Sequence, residues 1–207
     1  MPAEDTSRLE AFSDGVFAIA TTLLVLDLKV PLKLSSAELR SALLDQWPGY
    51  LSFAASFAVI GIMWVNHHRM FQLIRRSTHG ILLWNGLLLF MVSATPFTTA
   101  LASAYLGEEG QRLAAVVYCG WFLLTATVWN LMWRYAASPA RGPGFLAESP
   151  ESDVVRGVTR SYLIGALSYG AATLVAVWVP VAGVVMSGLV GIFFALSVVV
   201  DPTKRYR

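Results

Sequence analysis

The side chains able to do chemistry in this chain are few, and they collect at the ends of apolar runs. Ser13 and Asp14 precede an uncharged run from Gly15 to Leu26, Asn66, His67 and His68 close a second apolar run, and Asn85 lies early in a third. A carboxylate, two imidazoles, a hydroxyl and two amides could form a hydrogen-bonded latch, pass a proton or hold a metal. Metal or haem binding is the weakest of these, because adjacent histidines on a helix point roughly 100° apart and no cysteine or second carboxylate accompanies them. If the runs are helices that alternate in direction, Asp14, His67, His68 and Asn85 share one depth. The favoured reading is a structural latch fixing the first helix against the second and third, since polar groups left unpaired in lipid are costly. A proton relay is the alternative, because ionisable groups at membrane depth default to function.

Composition explains why depth is the right frame. The chain has 207 residues, of which 56% are hydrophobic and 14% charged, against about 25% charged in ordinary soluble domains. Mean hydropathy is +0.61. These values describe an all-α membrane protein. The single cysteine, Cys119, cannot form an intrachain disulfide and reads as a small core hydrophobe. No Gly-rich phosphate loop, Cys/His metal spacing or GxSxG elbow is present, so nothing suggests an enzyme, a bound cofactor or a nucleic-acid partner. A TVGYG filter is absent too.

Six spans are predicted, at about 9–30, 47–68, 81–103, 113–135, 158–179 and 181–200, forming one transmembrane domain. The linker after the first carries Leu39, Leu43 and Leu44 at spacings that suit a short surface helix. Pro96 predicts a kink in the third span. Trp129, Trp133 and Tyr135 predict an interfacial end to the fourth, and the Pro-, Gly- and Ser-rich stretch 137–153 predicts the chain's most flexible insertion. Orientation follows the basic residues. With a cytoplasmic N-terminus, Arg8, Arg69, Arg75, Arg76, Arg134, Arg141, Arg156, Arg160, Lys204, Arg205 and Arg207 lie inside, leaving only Lys29, Lys33, Arg40 and Arg112 outside. Both termini are therefore expected in the cytoplasm of a cell-membrane protein.

Within the first span, Ile19, Leu23, Leu26 and Val30 fall on one stripe at helical spacing, with Thr22 at its edge and Phe12 and Gly15 continuing it. Ser13 and Asp14 point elsewhere. Aliphatic residues at this spacing usually face lipid or pack against a neighbour.

Arg8, Phe12, Ser13, Asp14 and Gly15, followed by VFAIATTLLVLDLKVP, resemble the signature of the transmembrane protein 175 (TMEM175) family of potassium channels in its short bacterial form. Trp64, Asn66, His67 and His68, with Trp84 and Asn85, resemble the same family's partner residues. The resemblance covers the first half of the chain by motif and the second half by its number of spans. Asp27 and Phe17 depart from it, standing where glutamate and an aliphatic residue are commoner; Phe17 bears on pore width. The resemblance implies a six-helix subunit in a homotetramer whose first helices line a pore for potassium ions across the lipid bilayer. Ile19, Leu23 and Leu26 would be aliphatic constriction layers acting as gate and moderately selective filter, and Thr22 a hydroxyl ring. Phe12, Ser13 and Asp14 would hold the helix through His67 or His68 and Asn85. Asp27, near the outer mouth, would either concentrate cations or simply be solvated. Two other classes are weighed: a proton-coupled secondary transporter using Asp14 and His67, although no repeat relates 9–103 to 111–200, and a membrane scaffold whose first helix only oligomerises.

Overall fold

The computed structural model describes residues 6–199 apart from Pro143; the side chains of Asp27, Pro48 and 195–199, and the basic residues Lys204, Arg205 and Arg207, lie outside the described residues. The chain forms α1 (Ser7–Leu23), a 3-10 turn (Leu24–Asp27), α2 (Ser36–Asp45), α3 (Trp47–Leu73), α4 (His79–Ala104), α5 (Gln111–Ala136), α6 (Asp153–Trp178) and α7 (Pro180–Val199). Among the described residues, five stretches are long and apolar enough to cross a membrane: Ser7–Leu26, Gly49–Leu73, His79–Ala104, Gln111–Ala136 and Asp153–Trp178. In α7 the apolar stretch is Pro180–Phe194.

Local sequence sets these boundaries. Ser35 caps α2 in a reciprocal box with Glu38, each satisfying the other's backbone N–H. No residue of α2 is buried, so Leu39, Leu43 and Leu44 form the outward surface of a short helix. Only Gln46 separates α2 from α3, with Pro48 tolerated in α3's first turn. Thr78 and Ser152 cap α4 and α6 by accepting the Ile81 and Val155 N–H groups. Helix α4 stays helical across Pro96. Trp121 Nε1 donates to the Met91 carbonyl at 3.0 Å, one residue before the Val92 carbonyl that Pro96 leaves without its N–H.

The helices pack as two groups. Helix α1 lies against α3 and α4, while α5, α6 and α7 pack together; α4 joins the groups through α5, and α3 approaches α7 more lightly. Phe17, Ala20 and Leu24 meet Ile60, Leu89 and Val92 in the first group. Ala115, Tyr118, Cys119, Phe122 and Ala176 fill the second, with Ser187 Oγ 3.3 Å from Cys119 Sγ.

The first span departs from a single long helix. Its α-helical part stops at Leu23, the 3-10 turn closes with Leu28 N–H donating to Val25 O at 3.1 Å, and Leu28 is extended. Val30 therefore leaves the helical stripe. It precedes Pro31, which disfavours helical backbone at that position. Helix α3 instead runs past His68 to Leu73.

The polar insertion after α5 is pinned at its centre. Ile74 and Leu146 form an isolated antiparallel bridge, Arg75 N–H donates to Phe145 O at 3.0 Å, and Ala147 N–H donates to Leu73 O at 2.7 Å. Phe145 and Leu146 are buried with Met70, Phe71 and Trp133. Two apolar side chains with a cavity to fill outweigh the surrounding Pro and Gly. Trp129 and Trp133 likewise turn inward rather than forming an interfacial girdle; Trp133 is fully buried and donates to Thr159 Oγ1 at 2.8 Å.

Helices α6 and α7 are joined through Val179 alone, whose non-helical backbone (φ −130°, ψ 83°) avoids the helical region that a following proline disfavours. The hairpin is tight enough that a Cβ on Gly183 would lie 2.7 Å from the Ala176 backbone. Gly183→Ala is expected to destabilise the protein by about 2 kcal/mol through overpacking, read as an earlier unfolding midpoint in mixed micelles. An unchanged midpoint would mean that the hairpin opens freely.

Candidate functional site

Helix α1 carries two opposed faces. Leu9, Ser13, Phe17 and Ala20 are its buried residues, and Leu24 continues them in the 3-10 turn; spacings of three and four put them on one side. On the other side Phe12 is 64% exposed, Ile19 59%, Leu23 53% and Leu26 74%. Thr22 is exposed on the same side, its hydroxyl donating to the Ile19 carbonyl at 3.1 Å. That bond leaves the Thr22 oxygen with lone pairs directed away from the helix. Residues i and i+3 of a 3-10 turn eclipse, so Leu26 stands nearly in line with Leu23. Beside the stripe runs an apolar groove of about 420 Å³ between α1 and α4, lined by Val16, Ile19, Leu23, Ser93 and Phe97. A strip of large apolar side chains thus lies open on a helix that is otherwise firmly seated.

The seat is polar at one point. Asn85 Nδ2 donates to Ser13 Oγ at 2.9 Å, and Ser13 Oγ donates to the Leu9 carbonyl at 2.8 Å. The other end of the amide, Asn85 Oδ1, meets His67 Nε2 at 2.8 Å. Because the amide NH2 faces Ser13, the network assigns the His67 proton to Nε2. All three side chains are at most 1% exposed. The His67 ring sits 5.3 Å from Phe17 edge-on and 4.6 Å from Phe71. One buried chain of hydrogen bonds therefore joins α1, α3 and α4, and aromatic rings shield it.

The remaining polar candidates are elsewhere. Asp14 Oδ1 accepts from Trp64 Nε1 at 2.8 Å on the exposed side of the α1–α3 contact, not from a histidine. His68 is exposed, with its Nε2 3.3 Å from Gln72 Nε2. Asn66 lines a separate crevice, Trp84 packs against the core around Trp133, and Arg8 and Phe12 border a groove that reaches Asn85. Phe12 thus stands outside the hydrogen-bonded chain. Phe17, a departure expected to bear on pore width, points into the subunit beside His67, on the face opposite Ile19. Asp14 and His67 share no hydrogen bond; the first pairs with Trp64 and the second with Asn85. Among the described residues no three His, Cys, Asp or Glu side chains converge to hold a metal. The side chain of Asp27 lies outside the described residues.

The family model described as "Endosomal/lysosomal potassium channel TMEM175" matches residues 8–96, which contain the stripe from Phe12 to Leu26 and the chain of Ser13, His67 and Asn85. A protein of Chamaesiphon minutus named a potassium channel is 46% identical over 93% of this chain and 94% of its own length. The chain belongs to the TMEM175 family. A Streptomyces collinus protein, also named a potassium channel, is 34% identical over 97% of each chain. The human member, named an endosomal/lysosomal proton channel, is 35% identical over 62% of this chain and 27% of its own length. The crystal structure of a lysosomal potassium-selective channel TMEM175 homolog from Chamaesiphon minutus superposes with a TM-score of 0.80 at 44% identity, covering 93% of this chain and 97% of that one. Family membership agrees with an all-helical protein that crosses the cell membrane several times.

Proposed function

We propose that this TMEM175-family chain is one subunit of a homotetrameric, moderately selective potassium channel, with α1 from each copy lining a central pore. The observation that carries the reading is the open aliphatic stripe of Ile19, Leu23 and Leu26 on a helix whose opposite face is buried and hydrogen-bonded. A lipid anchor has no need of so fixed a rotation. In this reading α7 completes six spans and both termini are cytoplasmic, which leaves Asp14, His67 and Asn85 in the inner half of the membrane. The names of the bacterial relatives support potassium as the permeant ion.

Rings of Ile19, Leu23 and Leu26 would dewet when the helices close and conduct when they splay or rotate. An apolar ring offers no oxygen to replace lost hydration, so it penalises the more strongly hydrated sodium ion more than potassium. Thr22, its proton engaged by the Ile19 carbonyl, would offer partial compensation from its oxygen. Selectivity would then reside in side chains, without a carbonyl filter.

Single-channel recording in planar bilayers, with potassium on one side and sodium on the other, tests this. Discrete current steps with reversal shifted toward the potassium equilibrium are expected. Silence from folded, oligomeric protein would overturn the reading in favour of a scaffold, and saturable flux coupled to a pH gradient would assign a transporter. Because the human relative is named a proton channel, a pH gradient without potassium is the control for proton current. Thr22→Ala is expected to lower the potassium to sodium permeability ratio about two- to threefold, the scale of one modest hydrogen bond. An unchanged ratio would remove the hydroxyl ring from the filter.

A further inference from the structure

The two helix groups do not close completely on each other, and the seam between them is a half-open crevice of about 90 Å³. Val59 and Met63 of α3, Phe122 and Ala126 of α5, Tyr169 of α6 and Gly191 of α7 line it. Its wall is almost wholly apolar. Tyr169 presents a ring stacked 5.6 Å from Phe122, and the one hydroxyl on the α5 wall, Thr125, is already donated to the Trp121 carbonyl at 2.8 Å. The polar groups of the crevice gather at one end, where Asn66, Tyr162 and the unpartnered Trp129 Nε1 could hold water; along Val59, Met63, Phe122 and Ala126 water has too few partners to be held. Next to the lining glycine, Leu189, Ile192 and Phe193 of α7 are all exposed, so the surface around the crevice is the kind that faces hydrocarbon.

The geometry points to a lipid-binding crevice: we infer that the acyl chain of a bilayer lipid, from the leaflet on the His67 side, inserts between α3 and α7. Three observations choose this occupant. An engineered cavity of about 150 Å³ holds a benzene ring, so the smaller crevice suits a slim chain better than a ring system or sterol. It is elongated, since Val59 and Asn66 both line it and are about 10 Å apart along α3. It is also deep. Trp129, at its polar end, lies about 10 Å along α5 from the helix terminus at Ala136, a depth for mid-chain carbons rather than for ester groups. The inserted chain would complete the contact between the α1–α3–α4 group, which carries the buried hydrogen-bonded chain, and α5–α7. This inference needs only that the protein spans the membrane and does not rest on ion conduction.

The test uses full-length protein in liposomes containing phosphatidylcholine with a photoreactive diazirine at mid-chain, followed by photolysis and peptide mass spectrometry. Labelling is expected at Val59–Met63 and at Phe122–Ala126, besides the outward residues Leu167 and Leu174. Gly191→Leu should fill the crevice at tolerable strain, because a Cβ there meets only the Tyr169 hydroxyl at 3.8 Å; Ala126→Leu fills it from the other side. Each is expected to abolish labelling of the lining while leaving Leu167 and Leu174 labelled. A lining that stays unlabelled in the unsubstituted protein, or labelling that survives both substitutions, would overturn the inference. Equal labelling of the lining by a diazirine beside the ester would contradict the depth. Labelling by a free diazirine-bearing alkane but not by the lipid would assign the crevice to a small solute instead.

Discussion

Ile19→Asn is expected to raise the basal potassium current by at least about tenfold at equal protein density. Ile19 is 59% exposed and makes no part of the α1 seat, which uses Leu9, Ser13, Phe17 and Ala20. The substitution should therefore leave the subunit folded. In a tetramer, however, four copies would face one another. Replacing an alkyl group by an amide lowers the cost of wetting each position by about 0.5–2 kcal/mol even on the mildest scales. Four such changes comfortably exceed the roughly 1.4 kcal/mol that corresponds to tenfold in rate. Planar-bilayer recording of folded, oligomeric variant measures the effect directly. A current no larger than that of the unsubstituted protein would remove Ile19 from the gate and shift the constriction to Leu23 or Leu26, where the same substitution separates a gate one turn away from no apolar gate at all.

Most of the stripe was legible because helical spacing needs no partner to be read: Ile19, Thr22, Leu23 and Leu26 share a side whatever α1 packs against, while Val30 lies beyond the point where the helix stops. The same arithmetic sets Phe17 opposite Ile19, yet its neighbours depend on where α3 delivers His67 and Phe71. Which histidine would be used was not legible. His67 and His68 differ by one residue and about 100° of helix, and only the rotation of α3 buries the first and exposes the second. The Asp14–Trp64 pair was equally hidden, since it joins residues 50 apart across the rim of a helix contact. Loop chemistry misled at Phe145 and Leu146, because the groove that receives them is made by the end of α3 and by Trp133. Aromatic residues near a helix end misled for the same reason: Trp133 meets the depth rule for an interface but finds Thr159 inside the bundle. Periodicity fixes which residues share a face, and tertiary packing decides which face is covered.

Asn85→Leu tests that packing without reference to ion flow, and it is expected to destabilise the protein by about 2–4 kcal/mol. The leucine removes both ends of the bridge, leaving the Ser13 oxygen without its donor and the His67 Nε2–H without its acceptor. Hydrogen bonds between membrane helices are worth on average only about 0.6 kcal/mol each. Stranding a buried donor costs a further 1–3 kcal/mol or so, and here it dominates because His67 is 1% exposed between the rings of Phe17 and Phe71. The double variant Asn85→Leu with His67→Phe replaces both polar partners by apolar groups and should recover more than half of the loss, since an apolar pair strands no donor. Unfolding midpoints in mixed micelles read all three proteins. If Asn85→Leu unfolds with the unsubstituted protein, the bridge is not what seats α1. If the double variant falls further than the single one, His67 contributes through more than its bond to Asn85, and its ring contacts with Phe17 and Phe71 become the main tie between α1 and α3.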